Sequence, residues 1–327
     1  MLKFSLFRTI NYALMLFIAT SLAYFMASAF LNPRSNYVNQ NPTPPPEAID
    51  AALSAANMND KTPLLERYWT WLQNVVLSWN WGLSPEGASI NGEMARRMLV
   101  STQLVFLATF LSIIIGVGLG IWAAIHHYKL RDRIINVFSV ASMVMPVFVL
   151  ALLIVLVAVS FNDTIGITAF YVTGLSESGV NGFFPSLLDW LRHITLPTIA
   201  MTGAGWYFYH QTQRTYLLDT MNADYVRTAR AKGLEKSKAI RRHALRPSLI
   251  PTATGVAFSI TTIFTGAVFI EQIFAIPGLG QYFIQTINQN NVNGAVAVAA
   301  FGGACTLAGA LLADIVIAWL DPRIRIN

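Results

Sequence analysis

The sequence predicts an all-α integral membrane protein with six transmembrane helices and both termini in the cytoplasm. Three observations predict this. Of 327 residues, 54% are hydrophobic and only 12% charged, about half the charge of a soluble domain. Mean hydropathy is +0.51, so two soluble domains of this total length would lack the charge to cover their surfaces. Six stretches are apolar over the roughly 20 residues that a helix needs to cross a bilayer. Lys and Arg are divided unequally between alternate connecting segments, which sets the sidedness.

The spans, in order, are 10–31, 99–125, 134–160, 194–218, 252–270 and 295–320. The first is too long and aromatic for a signal-peptide core, and no small-residue cleavage pattern follows it, so it is read as retained. Pro146, in Met143-Val-Met145-Pro146, should bend the third. The fourth is the least apolar, with Trp206-Tyr-Phe-Tyr-His-Gln211 in its lower half. Gly116-x-Gly118-x-Gly120 in the second span suits close helix packing. So do Ala295, Ala299, Gly302, Gly303, Thr306, Gly309, Ala310 and Ala313 in the sixth, within the chain or against a second membrane chain.

Sixteen Lys and Arg fall on the side that carries both termini, and six on the other. The net charge of +6 is therefore a topology signal, and no nucleic-acid partner is expected. Membrane lipid is. Cys305, the single cysteine, excludes an intramolecular disulfide and a multi-cysteine metal site.

Two polar segments remain. Segment 32–98 should lie outside. It has a stiff Asn41-Pro-Thr-Pro-Pro-Pro46 linker, a short helix near Glu47–Asn57, and Tyr68, Trp69, Trp71, Trp79 and Trp81. It reads as a lid of interfacial helices, as a docking surface, or as both. Segment 219–250 should lie inside. Asn222 is placed to cap a first helix. Gly233 is placed to end it in a left-handed conformation, with Leu234 as the following hydrophobic contact. Ser237 is placed to cap a second helix that Pro247 limits. Val226, Ala229 and Gly233 form a small face that would let a partner's backbone approach. A basic hairpin lying on anionic lipid is the other reading.

The residues of this loop resemble the coupling loop of ATP-binding-cassette importer permeases, closest to the peptide-importer branch. Tyr225, Arg227, Thr228, Ala229, Arg230, Lys232, Gly233 and Leu234 carry the resemblance, followed by His243, Leu245 and Arg246. Pro247 stands where that branch commonly has asparagine. Glu271-Gln-Ile-Phe274-Ala-Ile-Pro277-Gly278-Leu279-Gly280 and the ending Leu320-Asp321-Pro322-Arg323-Ile-Arg325 are similar too. The long outside segment, with Trp81-Gly-Leu-Ser84 near its end, is similar to the first of the two permease subunits.

The resemblance implies a type I importer permease fold in a bacterial cytoplasmic membrane. Residues 1–31 would be the cytoplasmic N-terminus and first helix, and 32–98 an extracytoplasmic segment with short helices. A five-helix core over 99–320 would include coupling loop 219–250, and 321–327 would be a cytoplasmic tail. The implied partners are a second permease subunit, two ATPase subunits that bind ATP and Mg, and an extracytoplasmic peptide-binding protein. The cargo is peptide, with nickel or glutathione as alternatives within the same family. An ion-coupled secondary transporter is the alternative of another class.

No glycine is followed by lysine, so a P-loop is absent and this chain is read as non-catalytic, without a cofactor of its own. The five histidines have no metal-ligand spacing. Met143, Met145, Pro146, Glu271 and Phe274 are candidates for a translocation path. Asp314 is the carboxylate well inside a span, a structural pair or a proton or substrate site.

Overall fold

The computed structural model describes residues 2–38, 40–177, 179–265 and 268–320, without the side chains of residues 2–6, 257–258, 260–265 and 312–320. The described residues are helical and contain no strand, only an isolated bridge between Leu83 and Ser89. The chain divides into two compact units: residues 1–102 with 264–308, and residues 103–263 with 309–327.

The first unit begins with α1 (Leu2–Phe30). Helices α2 (Ser35–Val38), α3 (Pro46–Ala55) and α4 (Leu64–Ser78) follow. Pro46 sits at the first position of α3, where its missing N–H costs nothing and its fixed φ suits the helix. Tyr24 of α1, Leu53 of α3, Trp71 of α4 and Val292 and Val296 pack into one buried cluster, so segment 32–98 folds onto the chain's own helices. Arg34 bonds both Asp50 and Asp60, and Lys61 also pairs with Asp50. These contacts hold Asp50 and Asp60 below the usual carboxylate range, through Lys61 then Arg34 for Asp50 and through Arg34 for Asp60.

Helix α5 spans Ile90–Ile125. The expected third span is two helices, α6 (Leu130–Val144) and α7 (Val147–Ile165). A break thus replaces the expected bend. Met145 is extended (φ −78°, ψ 119°), as a residue before proline prefers, and α7 restarts immediately after Pro146. Helix α8, Phe183–Met221, has 39 residues, about 58 Å at 1.5 Å per residue. Its neighbours include α6 and α7. Gly116 and Gly120 explain the approach of α5 to α8: a β-carbon on Gly116 would stand 2.5 Å from the Trp206 carbonyl, and one on Gly120 2.8 Å from that of His210. Gly116 and Gly120 of the second span thus serve packing within the chain, whereas a β-carbon on Gly118 would meet nothing within 4 Å.

Beyond α8 come α9 (Asp224–Ala231) and α10 (Lys236–Ala239), then a π turn over Ile240–Ala244 and α11 (Leu245–Thr265). Back in the first unit are α12 (Val268–Ile273) and α13 (Leu279–Asn288). Helix α14 runs Val292–Leu320. Among the described residues, four stretches are long and apolar enough to cross a membrane: Phe7–Val38, Ile90–Ile125, Val147–Ile165 and Val292–Leu311.

Candidate functional site

The basic hairpin is built around Gly233. It lies at φ +93°, where a side chain costs about 1–2 kcal/mol. The Gly233 N–H donates to the Arg230 carbonyl at 3.0 Å and the Leu234 N–H to the Ala229 carbonyl at 3.2 Å. This pair of bonds closes α9 as a Schellman motif. Asp224 in its first turn and Arg230 in its last suit the helix dipole.

Three local expectations are corrected. Ala223, not Asn222, precedes α9, and the Asn222 amide donates back to Leu218 at the end of α8. Ser237 lies inside α10, which follows Glu235 without a side-chain cap. Pro247 does not end the second helix: the chain widens into the π turn just before it and continues as α11. A widened turn is a common helical adjustment where proline interrupts the i→i−4 ladder.

The small face is also corrected. Val226 is 1% exposed and Ala229 8%. Val226 packs with Ala124, Leu217, Ala239, Ile240 and Ala244, and Leu234 leans on the same cluster. These short side chains bring α9 close to α10 and the π turn of the same chain. The outward face is Tyr225, Arg227, Thr228, Arg230, Lys232 and Gly233, while His243 and Leu245 are half-buried. Eight Lys and Arg of the hairpin are exposed against three carboxylates, Asp219, Asp224 and Glu235. An acidic or anionic surface would meet this face without displacing buried side chains.

Polar ties anchor the hairpin beneath. Gln213 Nε2 donates to Ser248 Oγ at 3.0 Å, and Thr252 Oγ1 donates to Gln213 Oε1 at 2.7 Å, so one buried amide joins α8 to α11. Arg214 donates to both oxygens of Asp132, at 2.8 and 2.9 Å. His127 Nδ1 lies 3.3 Å from Asp132, and the Tyr128 N–H donates to it at 3.1 Å. The Arg214 guanidinium holds Asp132 below the usual carboxylate range. Sequence reasoning missed the Gln213 and Arg214 ties because their partners lie 35 to 82 positions away. The one available signal was Gln and Arg inside an otherwise apolar stretch.

The remaining candidates separate. Met143 and Pro146 are exposed and Met145 is half-buried at the α6–α7 break. Glu271 and Phe274 are buried in the first unit, at 0% and 1% exposure. Ser101 Oγ donates to Glu271 Oε1 at 2.6 Å, and the Gln281 N–H to Oε2 at 2.9 Å. Glu271 thus caps the start of α13, with both carboxylate oxygens occupied. Asp314 falls on α14, but its side chain lies outside the described residues, as do residues 321–327 of the terminal motif. Among the described residues, no group of three His, Cys, Asp or Glu is placed to hold a metal.

The long apolar helices define an integral membrane protein, with an exposed basic hairpin packed on residues at the ends of α5 and α8. Residues 116–326 match the family of binding-protein-dependent transport system inner membrane components, and the chain belongs to that family. It is 35% identical over 321 residues, 98% of each chain, to the oligopeptide transport system permease protein OppB of Mycobacterium tuberculosis H37Rv. It is 29% identical over 327 residues to the proteins of the same name from Haemophilus influenzae and Escherichia coli K12, covering 99% of this chain and all of theirs.

Proposed function

We propose that this chain is one of two permease subunits of an ATP-driven peptide importer in a bacterial cytoplasmic membrane. In this reading it crosses the membrane six times with both termini inside, as the Lys and Arg distribution supports. Residues 32–98 lie outside, 99–320 form the permease core, and 321–327 form a short inner tail. A second permease completes the pathway, an extracytoplasmic protein delivers peptide, and two ATPase subunits bind ATP and Mg. The resemblance to relatives named for oligopeptide transport supports the cargo class.

The observation that carries the coupling role is the build of the 219–250 hairpin. Tyr225, Arg227, Thr228, Arg230, Lys232 and Gly233 face outward as the docking surface, and Ala229, Leu234, His243 and Leu245 hold its shape. Its inner face is packed on residues of α5 and α8, and its second limb runs on into α11. A push on the outer face would therefore pass to long helices rather than be absorbed in a loose loop. The test is reconstitution with the natural partners. ATP-dependent peptide uptake that requires this chain supports the reading, whereas uptake driven by an ion gradient without ATPase subunits contradicts it.

A further inference from the structure

The first unit holds an apolar slot of about 380 Å³, distinct from the hairpin. Its walls come from residues 13–21 of α1, residues 71–81 in and just after α4, residues 91–98 of α5 and residues 297–304 of α14. Helix α1 runs antiparallel to α14. Tyr24 shares a buried cluster with Val292 and Val296, whereas a β-carbon on Gly303 would stand 3.2 Å from Leu16. At the Tyr24 end α1 is tied to α4, by the Ser21 and Tyr68 hydroxyls at 2.8 Å and by the Tyr24 and Trp71 rings 4.8 Å apart. Along the rest of its length α1 stands off from the chain: only 6% of its most apolar stretch is buried. The slot is the gap this leaves beside α5 and α14.

We propose that one acyl chain of a membrane phospholipid fills this slot and packs α1 against α5 and α14. Three of its four walls belong to stretches long and apolar enough to cross a membrane, so the slot lies at the depth of the hydrocarbon. Residues 13–21 of α1 cover roughly 12 Å at 1.5 Å per residue, most of one leaflet of an about 30 Å core. Phe17 is both a wall residue and exposed, and Leu14 and Ile18 beside it are exposed too, so the slot is continuous with the face of α1 that meets lipid. No charged residue lines it, and its Ser21 and Asn91 are engaged within the chain. Water, which needs about two to four polar partners, is a poor occupant. An empty slot forfeits the dispersion contacts of its walls. An acyl chain is as apolar as leucine and is the neighbour present at that depth. The Asn91 amide donates to the Trp79 carbonyl at 2.6 Å and accepts the Trp81 N–H at 3.0 Å, which gathers two tryptophans at one end. Tryptophan prefers the headgroup level, so the chain enters there. That end faces the outer leaflet, a point that rests on the sidedness in the proposed function.

The test uses the complete transporter in nanodiscs of phosphatidylethanolamine and phosphatidylglycerol. The probe is a phosphatidylcholine that carries a diazirine midway along one acyl chain. Photolysis followed by peptide mass spectrometry maps the labelled residues. Leu72, Met98 and Phe301, half-buried in three different walls, report the slot. Ala95→Leu and Ala304→Leu, at an exposed and a half-buried wall position, narrow it. Label at all three reporters in the wild type that falls about tenfold in both variants, with label elsewhere on the spans unchanged, supports the site. No label at the reporters in the wild type, with the spans labelled elsewhere, overturns it, whether the slot is then empty or filled by a partner chain. Reporter label that survives both substitutions overturns it as well, because the chain would then not need the slot. The leaflet is tested apart, with Ser54→Cys and an impermeant thiol reagent on whole cells. Reaction from outside supports the outer leaflet, whereas reaction only after lysis keeps the site, moves it to the inner leaflet and overturns the sidedness.

Discussion

Glu271 and Gly278 are so close that a β-carbon on Gly278 would stand 2.4 Å from the Glu271 carboxylate. Gly278 has φ −97°, so glycine is required there for space and not for backbone freedom. Glu271 uses that space to bond Ser101 and the Gln281 N–H, and Ser101 Oγ also accepts the Leu279 N–H at 2.7 Å. Gly278→Ala is expected to displace the carboxylate and destabilise the first unit by about 1–3 kcal/mol. A lowered thermal midpoint of the purified chain checks this. Ser101→Ala should act in the same direction, because it leaves Glu271 Oε1 and the Leu279 N–H unmatched.

Asp132 and Arg214 should be far more sensitive than surface charges. Their side chains are 4% and 16% exposed, so removing one leaves the other buried without its partner. Asp132→Ala is expected to cost about 3–5 kcal/mol, and the double variant Asp132→Ala with Arg214→Met less than the single. Denaturation of the four chains of that cycle measures it.

Acid should loosen the 32–98 segment. Asp50 and Asp60 titrate below their ordinary range in the folded chain. A depressed folded value means that their contribution is fully present above the unfolded pKa of about 3.9. It is lost as pH falls through the folded values. Hydrogen exchange in α3 should therefore accelerate below about pH 4, and Arg34→Gln should flatten that dependence.

Ala229→Glu places a carboxylate at a position only 8% exposed and should unfold α9 locally, costing about 3 kcal/mol. Exchange of the α9 amides is the readout. Arg241→Ala, on an exposed position, should change stability by less than about 1 kcal/mol.

The parts of this fold that are legible in the sequence are the local ones. The short helix after the proline-rich linker is legible, although it begins at Pro46 and not Glu47, and Gly233 followed by Leu234 announces the turn that closes α9, because backbone chemistry at those residues decides the outcome within a few positions. What is not legible depends on distant partners. The sequence offers Glu271 as a path candidate but gives no sign of its bond to Ser101, 170 positions away. The small face of Val226 and Ala229 suits an outside partner or the chain's own π turn equally well, and only packing chooses. Pro146 and Pro247 illustrate the limit of a local rule: one breaks a helix, while the other is accommodated by a π turn.

Gly233→Val tests the coupling claim most directly. A β-carbon at Gly233 would meet no heavy atom within 4 Å and the position is exposed, so the main added cost is the positive-φ strain of about 1–2 kcal/mol, at the surface where the ATPase would dock. The measurement is peptide uptake together with substrate-stimulated ATP hydrolysis by the reconstituted transporter carrying this variant. The account predicts a chain that folds and inserts normally but no longer imports peptide, with hydrolysis lost or no longer linked to uptake. Normal uptake at the wild-type ratio of ATP to peptide would contradict it and leave the hairpin as a surface that rests on lipid.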